Sequence, residues 1–111
     1  MTHIVLYRDQ AGRYTGFSVK GHSGYAEAGS DIVCAGISAL TITCINALES
    51  VAGVTPIVSG GEDGFLEAHL PSSLDDMQMH DAQVLLRALH QGLSDLADGY
   101  EKYIRLSTKT V

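Results

Sequence analysis

The chain has 111 residues, 45% hydrophobic and 6% aromatic with no tryptophan, enough for one domain over residues 1–111 with its own core. Seven basic against thirteen acidic residues give a net charge of −6, which argues against direct nucleic-acid binding and suits either a basic partner or a plain soluble surface. With no run of about 18 apolar residues and no signal-peptide core in the opening MTHIVLYRD, the expected location is the cytoplasm, with no membrane span.

In chain order, His3 to Arg8 (HIVLYR) reads as a strand, Asp9-Gln10-Ala11-Gly12 as a turn, and Tyr14 to Lys20 as a second strand. The short gap predicts an antiparallel hairpin. Phe17 and Val19 face a core, opposite Tyr14, Gly16, Ser18 and Lys20. Gly21 to Ser30 is a loop with three glycines and two serines, either a functional segment or a plain connection. Tyr25 is its one large apolar anchor, so the loop is expected to be mobile until substrate orders it.

A helix is predicted from about Ile32 to Val51, with Asp31 as its N-cap. Its expected buried stripe is Val33, Ile37, Leu40, Cys44, Ala47 and Val51, while Cys34 lines up with Ser38, Thr41 and Ile45. Ala35, Ala39 and Ile42 form a side small enough for close packing on another element. Cys34 falls in the first turn, where the positive end of the helix dipole favours a thiolate. Cys44 is expected to be a core thiol. Ten residues apart on one helix, the two sulfurs are about 15 Å apart along the axis and cannot pair. Free thiols fit a reducing compartment.

Gly53 ends this helix. Strands are predicted at Thr55 to Ser59 and Phe65 to Leu70, around the turn Gly60-Gly61-Glu62-Asp63-Gly64, whose two acids are expected to be solvated. A second helix runs from about Asp75 to Asp98, with Ala82, Leu85, Leu86, Leu89, Leu93, Leu96, Ala97 and Tyr100 on one stripe. Gly99 stops it, and Tyr103 to Thr108 makes a last strand. The order β-β-α-β-β-α-β implies an α+β fold, two helices packed on a largely antiparallel sheet.

The chemistry concentrates in Gly21 to Ser38, GHSGYAEAGSDIVCAGIS. Cys34 at a helix start with His22 on a flexible loop is the minimal arrangement for a thiol nucleophile and its acid–base partner. Helical N–H groups near Cys34 are candidate oxyanion donors. His22 would take the thiol proton and return it to the leaving amine, and Gly21 would permit the backbone conformation that aims the ring. Asp31 has two competing readings, a structural cap that influences the site or a third member that orients His22. The cap is the preferred one. No CxxC, HExxH or comparable ligand spacing is present, and His3, His69, His80 and His90 are scattered, so no metal or other cofactor is expected. A redox role for Cys34 lacks a resolving thiol, and a non-catalytic binding module leaves the His–Cys pair unexplained.

The GH and DIVCA elements together resemble the signature of the ribosomal-processing cysteine protease family, Prp, and the resemblance runs along the whole chain. It implies an endopeptidase that removes the N-terminal extension of the large-subunit ribosomal protein numbered twenty-seven, with a non-catalytic ribosome-assembly module as the alternative. It also implies that Asp31 and Ser38 belong to the active site, that the bound partner is an extended N-terminal segment, and that the protein is a homodimer. Ser23 and Gly36 stand where alanine is commoner in the family, and neither carries a role there.

Overall fold

The computed structural model describes residues 1–27, 29–62 and 64–111. Its elements are β1 (Thr2–Arg8), β2 (Tyr14–Lys20), α1 (Ile32–Ser50), β3 (Ile57–Glu62), β4 (Phe65–His69), α2 (Asp76–Gly99) and β5 (Ile104–Thr110). The strands form one mixed sheet in the order β3-β4-β2-β1-β5. All neighbours pair antiparallel except β1 and β5, which run parallel because the whole of α2 lies on the connection into β5. This is the α+β arrangement that the order of elements implied.

One core holds the layers together. Ile4 and Leu6 pair with Val19 and Phe17, and these side chains meet Val33, Ile37, Cys44 and Leu48 of α1 and Ala82, Leu86, Leu89 and Leu93 of α2. Both helices therefore pack on one face of the sheet. They approach closely at two glycines, where an added Cβ would sit 3.3 Å from Leu96 at Gly36 and 3.0 Å from Leu40 at Gly92. Asp75 caps α2 in a reciprocal box with Gln78.

Three expectations need correction. The buried stripe of α1 is Val33, Ile37, Thr41, Cys44 and Leu48, with Val51 exposed beyond the helix end. Thr41 is tolerated inside because its hydroxyl donates to the Ile37 carbonyl at 2.8 Å. The small side at Ala35, Ala39 and Ile42 is exposed rather than packed. Tyr14 is buried with the core, because a bulge pairs Gly16 with Tyr7 but Tyr14 with Arg8 and turns Tyr14 over. There the Arg8 guanidinium donates to the Tyr14 hydroxyl, which in turn meets His90 Nδ1 at 2.6 Å. Burial, aided by the Arg8 charge, lowers the His90 pKa.

Another point concerns membranes. Ile32–Ser50 has a mean hydropathy of 1.7 and is, by length and composition, apolar enough to cross one. Interspersed Ser, Thr and Asn hide this from a search for unbroken apolar runs. In this fold the helix places one stripe in the protein core against α2.

Candidate active site

The site is assembled at one end of the sheet, where β2 runs into the Gly21 loop and α1 begins. Asp31 adopts the extended conformation of an N-cap, and its Oδ1 accepts from Val33 N–H at 3.0 Å and Cys34 N–H at 2.9 Å. Its Oδ2 accepts from the Ser23 hydroxyl and, at 3.4 Å, from Ala26 N–H. Desolvation pushes the Asp31 carboxyl up, but the bonds from Ser23, Cys34 and Ala26 outweigh it and hold the group well below the usual carboxylate range. Asp31 makes no hydrogen bond to His22, so among the described residues the cap geometry is the one present.

Cys34 is half-buried in the first turn of α1. Its Sγ receives Ser23 N–H at 3.4 Å and lies 3.5 Å from Ser23 Oγ. Sequence reasoning gave Ser23 no role, yet it is 2% exposed and touches both Cys34 and Asp31. No local pattern announces it, because its partners come from the helix end that the loop folds back upon.

His22 is exposed, and its ring lies over the tip of the β3–β4 hairpin. A Cβ added to Gly64 would sit 2.9 Å from His22 Nε2. The neighbouring Gly21 N–H donates to the Gly64 carbonyl at 2.7 Å, so the hairpin tip clamps the start of the loop. Gly21 has φ +88, and a Cβ there would fall 2.8 Å from the Met1 carbonyl. Two independent reasons thus call for glycine where the chain aims His22. No hydrogen bond joins His22 to Cys34 among the described residues.

Ser38 lies one turn beyond Cys34 and is exposed, with no side-chain hydrogen bond among the described residues. Tyr25 is more than an isolated anchor. Its ring packs edge-on against Tyr100 and Tyr103, at centroid distances of 5.7 and 5.3 Å. Together with the Ser23 and Gly21 bonds, this ties the loop down at several points. Glu62 is exposed at the hairpin tip, and Asp63 lies outside the described residues. Among the described residues no group of three His, Cys, Asp or Glu side chains is placed to hold a metal.

Three N–H groups of the first helical turn are already engaged. Those of Val33 and Cys34 bond the Asp31 side chain, and that of Ala35 bonds the Asp31 carbonyl. They are therefore not free to receive an oxyanion as the sequence suggested. Cys44 is the opposite kind of thiol. It is buried between the helices, and burial pushes it up to about 11.

Comparison with known proteins shows the family and the same fold. The profile of the family described as cysteine protease Prp matches residues 1–105. The ribosomal processing cysteine protease Prp of Bacillus subtilis is 33% identical over 96 residues, 86% of each chain. Its Staphylococcus aureus counterpart is 30% identical over 109 residues, 98% of this chain and 100% of the other. The S. aureus protease, solved with a covalently linked product peptide, superposes with a TM-score of 0.87 at 26% identity, covering 98% of this chain and 100% of that one. The same protease with a substrate peptide gives 0.82 at 25% identity, with the same coverage. With a cysteine at the helix start, a histidine on the loop that leads into it and the family's profile matching residues 1–105, the chain belongs to the cysteine protease Prp family and is a cysteine protease.

Proposed function

We propose that this protease removes the N-terminal extension of a large-subunit ribosomal protein, number twenty-seven, during ribosome maturation, with Cys34 as nucleophile and His22 as its acid–base partner. The observation that carries the reading is the Cys34 thiol, half-exposed in the first turn of α1 beside the loop that bears His22. A covalently linked product peptide on the structurally similar S. aureus protease supports the same chemistry.

The reaction follows from the groups at hand. His22 swings from its seat on Gly64 to Sγ and takes the thiol proton. The thiolate attacks the peptide carbonyl carbon, and the carbonyl electron pair moves to oxygen. Collapse of that tetrahedral adduct breaks the C–N bond, and His22 gives its proton to the leaving amine. Water then attacks the resulting thioester, with His22 as base, and releases the carboxylic acid and the Cys34 thiol. Asp31 holds the first turn and the loop in register, Gly21 aims His22, and Ser38 borders the approach to Sγ along the same helix side.

The partner in this reading is an extended peptide segment, with no direct nucleic acid, in the cytoplasm. A homodimer goes with it. The exposed residues Ile32 and Ile42, 55% and 50% accessible, with Ala35 and Ala39 alongside, favour α1 as the surface that a second copy covers. Sedimentation of the wild-type chain against Ile42→Asp tests that part. The activity is tested by incubating the chain with the candidate ribosomal protein and reading its mass. Loss of an N-terminal segment supports the assignment, and an unchanged mass at enzyme excess removes it.

A further inference from the structure

Among the described residues, the side chain hydrogen-bonded to both the thiol and the cap is that of Ser23, on which the reading above places no demand. Its hydroxyl has one proton. Asp31, ionised, can only accept, so that proton is committed to Oδ2, and what faces Cys34 is an oxygen lone pair. The thiol S–H consequently donates to Ser23 Oγ, giving a chain Cys34 S–H to Ser23 O–H to Asp31 carboxylate. The same oxygen also accepts from Tyr25 N–H at 3.3 Å. At 2% exposure the serine is shielded from bulk solvent.

We propose that Ser23 is a positioning residue that serves both protonation states of Cys34, its hydroxyl accepting from the thiol and turning to donate to the thiolate once the proton has left. This rests on Cys34 being the nucleophile. The turn costs Asp31 its bond from the Ser23 hydroxyl but leaves it the N–H groups of Val33, Cys34 and Ala26, and the thiolate takes the place of the carboxylate as the charged acceptor. The Ser23 backbone N–H already points at Sγ, so the thiolate gains a second donor from the same residue. Among the described residues, the ionisable group placed against the thiol is Asp31 at its own helix end, with His22 on the loop that carries Ser23. From α2 the facing residue is the apolar Leu96 against Gly36, and from the hairpin it is Gly64 against His22.

The test is the pH dependence of iodoacetamide alkylation at Cys34, with Ser23→Ala compared with wild type, and again in a His22→Ala background. Losing one donor to the anion, with the Asp31 charge still in place, moves the midpoint up by about one pH unit in both backgrounds. A purely structural serine would leave the midpoint alone. Cleavage of a peptide substrate by Ser23→Ala falls about tenfold in kcat with KM within about twofold. An unchanged or lowered alkylation midpoint overturns the proposal. Wild-type cleavage measured in parallel keeps the two claims apart: a wild type that cuts while Ser23→Ala matches it refutes Ser23 alone, and a wild type that never cuts refutes the reading beneath it. Should Ser23→Ala fold poorly, Ser23→Cys oxidised with diamide decides the contact. The two thiols lose their hydrogens to the reagent, and a disulfide to Cys34 appears as a linked peptide. Its absence, with Cys34 still free to alkylate, overturns the proposal.

Discussion

Alkylating the native protein separates its two cysteines, and the structure sets the size of the difference. Cys44 is 6% exposed, its Sγ set 3.9 Å from the Leu85 carbonyl between α1 and α2. Burial raises it from the ordinary 9.0 to about 11, which leaves about one-hundredth of the thiolate that an ordinary cysteine carries at neutral pH. Access is a second barrier, because a reagent reaches Cys44 only when α1 opens from α2, and each 1.4 kcal/mol of opening costs about another tenfold. Cys34 is half-exposed, so a reagent reaches it without the helices parting. Labelling with limiting iodoacetamide, followed by peptide mapping over time, should show Cys34 modified at least about a hundredfold faster. Sub-denaturing urea should speed only Cys44. Comparable rates in the absence of urea would refute the burial argument and the distinction between a core thiol and a site thiol.

Other consequences can be read from the same contacts. Cys44→Ala leaves a small void and should cost about 1 kcal/mol, or roughly 4 °C in Tm, with peptide cleavage unchanged. Gly21→Ala forces a side chain to φ +88 against the Met1 carbonyl, so stability should fall by about 1–3 kcal/mol, with cleavage lost further than the fold as His22 is displaced. Asp31 is held below its ordinary 3.8, so the unfolded chain takes up that proton first. Its contribution is complete above pH 3.8 and lost as pH falls toward the lower folded value, and Asp31→Asn should flatten the urea midpoint in that acid window. His90 is likewise lowered from 6.5, so its neutral form favours folding above that pH. His90→Gln should remove a loss of stability that wild type shows as pH drops below 6.5.

What could be read from the chain was what local chemistry decides. Asp31 before an apolar helix announces a cap, and the cap places Cys34 in the first turn whatever surrounds it. The hairpin of β1 and β2 was legible from alternation and a short turn. Alternation failed at Tyr14, because the bulge opposite Tyr7 and Arg8 depends on pairing with another strand. The register of the α1 stripe also escaped, since Thr41 can be buried once its hydroxyl bonds its own backbone. Ser23 and Gly64 were invisible for a related reason. Each matters only through a partner brought in by tertiary folding, Cys34 and Asp31 for one and His22 for the other.

The central claim is that Cys34 carries out the cleavage, and one comparison tests it. A peptide spanning the ribosomal extension and its junction is incubated with wild type and with Cys34→Ser, and the products are analysed for a new N-terminus. A hydroxyl is a far weaker nucleophile near neutral pH, and the substitution is nearly isosteric, so fold and binding should persist while the cut disappears. Wild type should yield the new N-terminus, and Cys34→Ser should hold the uncut peptide. Cleavage by Cys34→Ser at the wild-type rate would contradict the account.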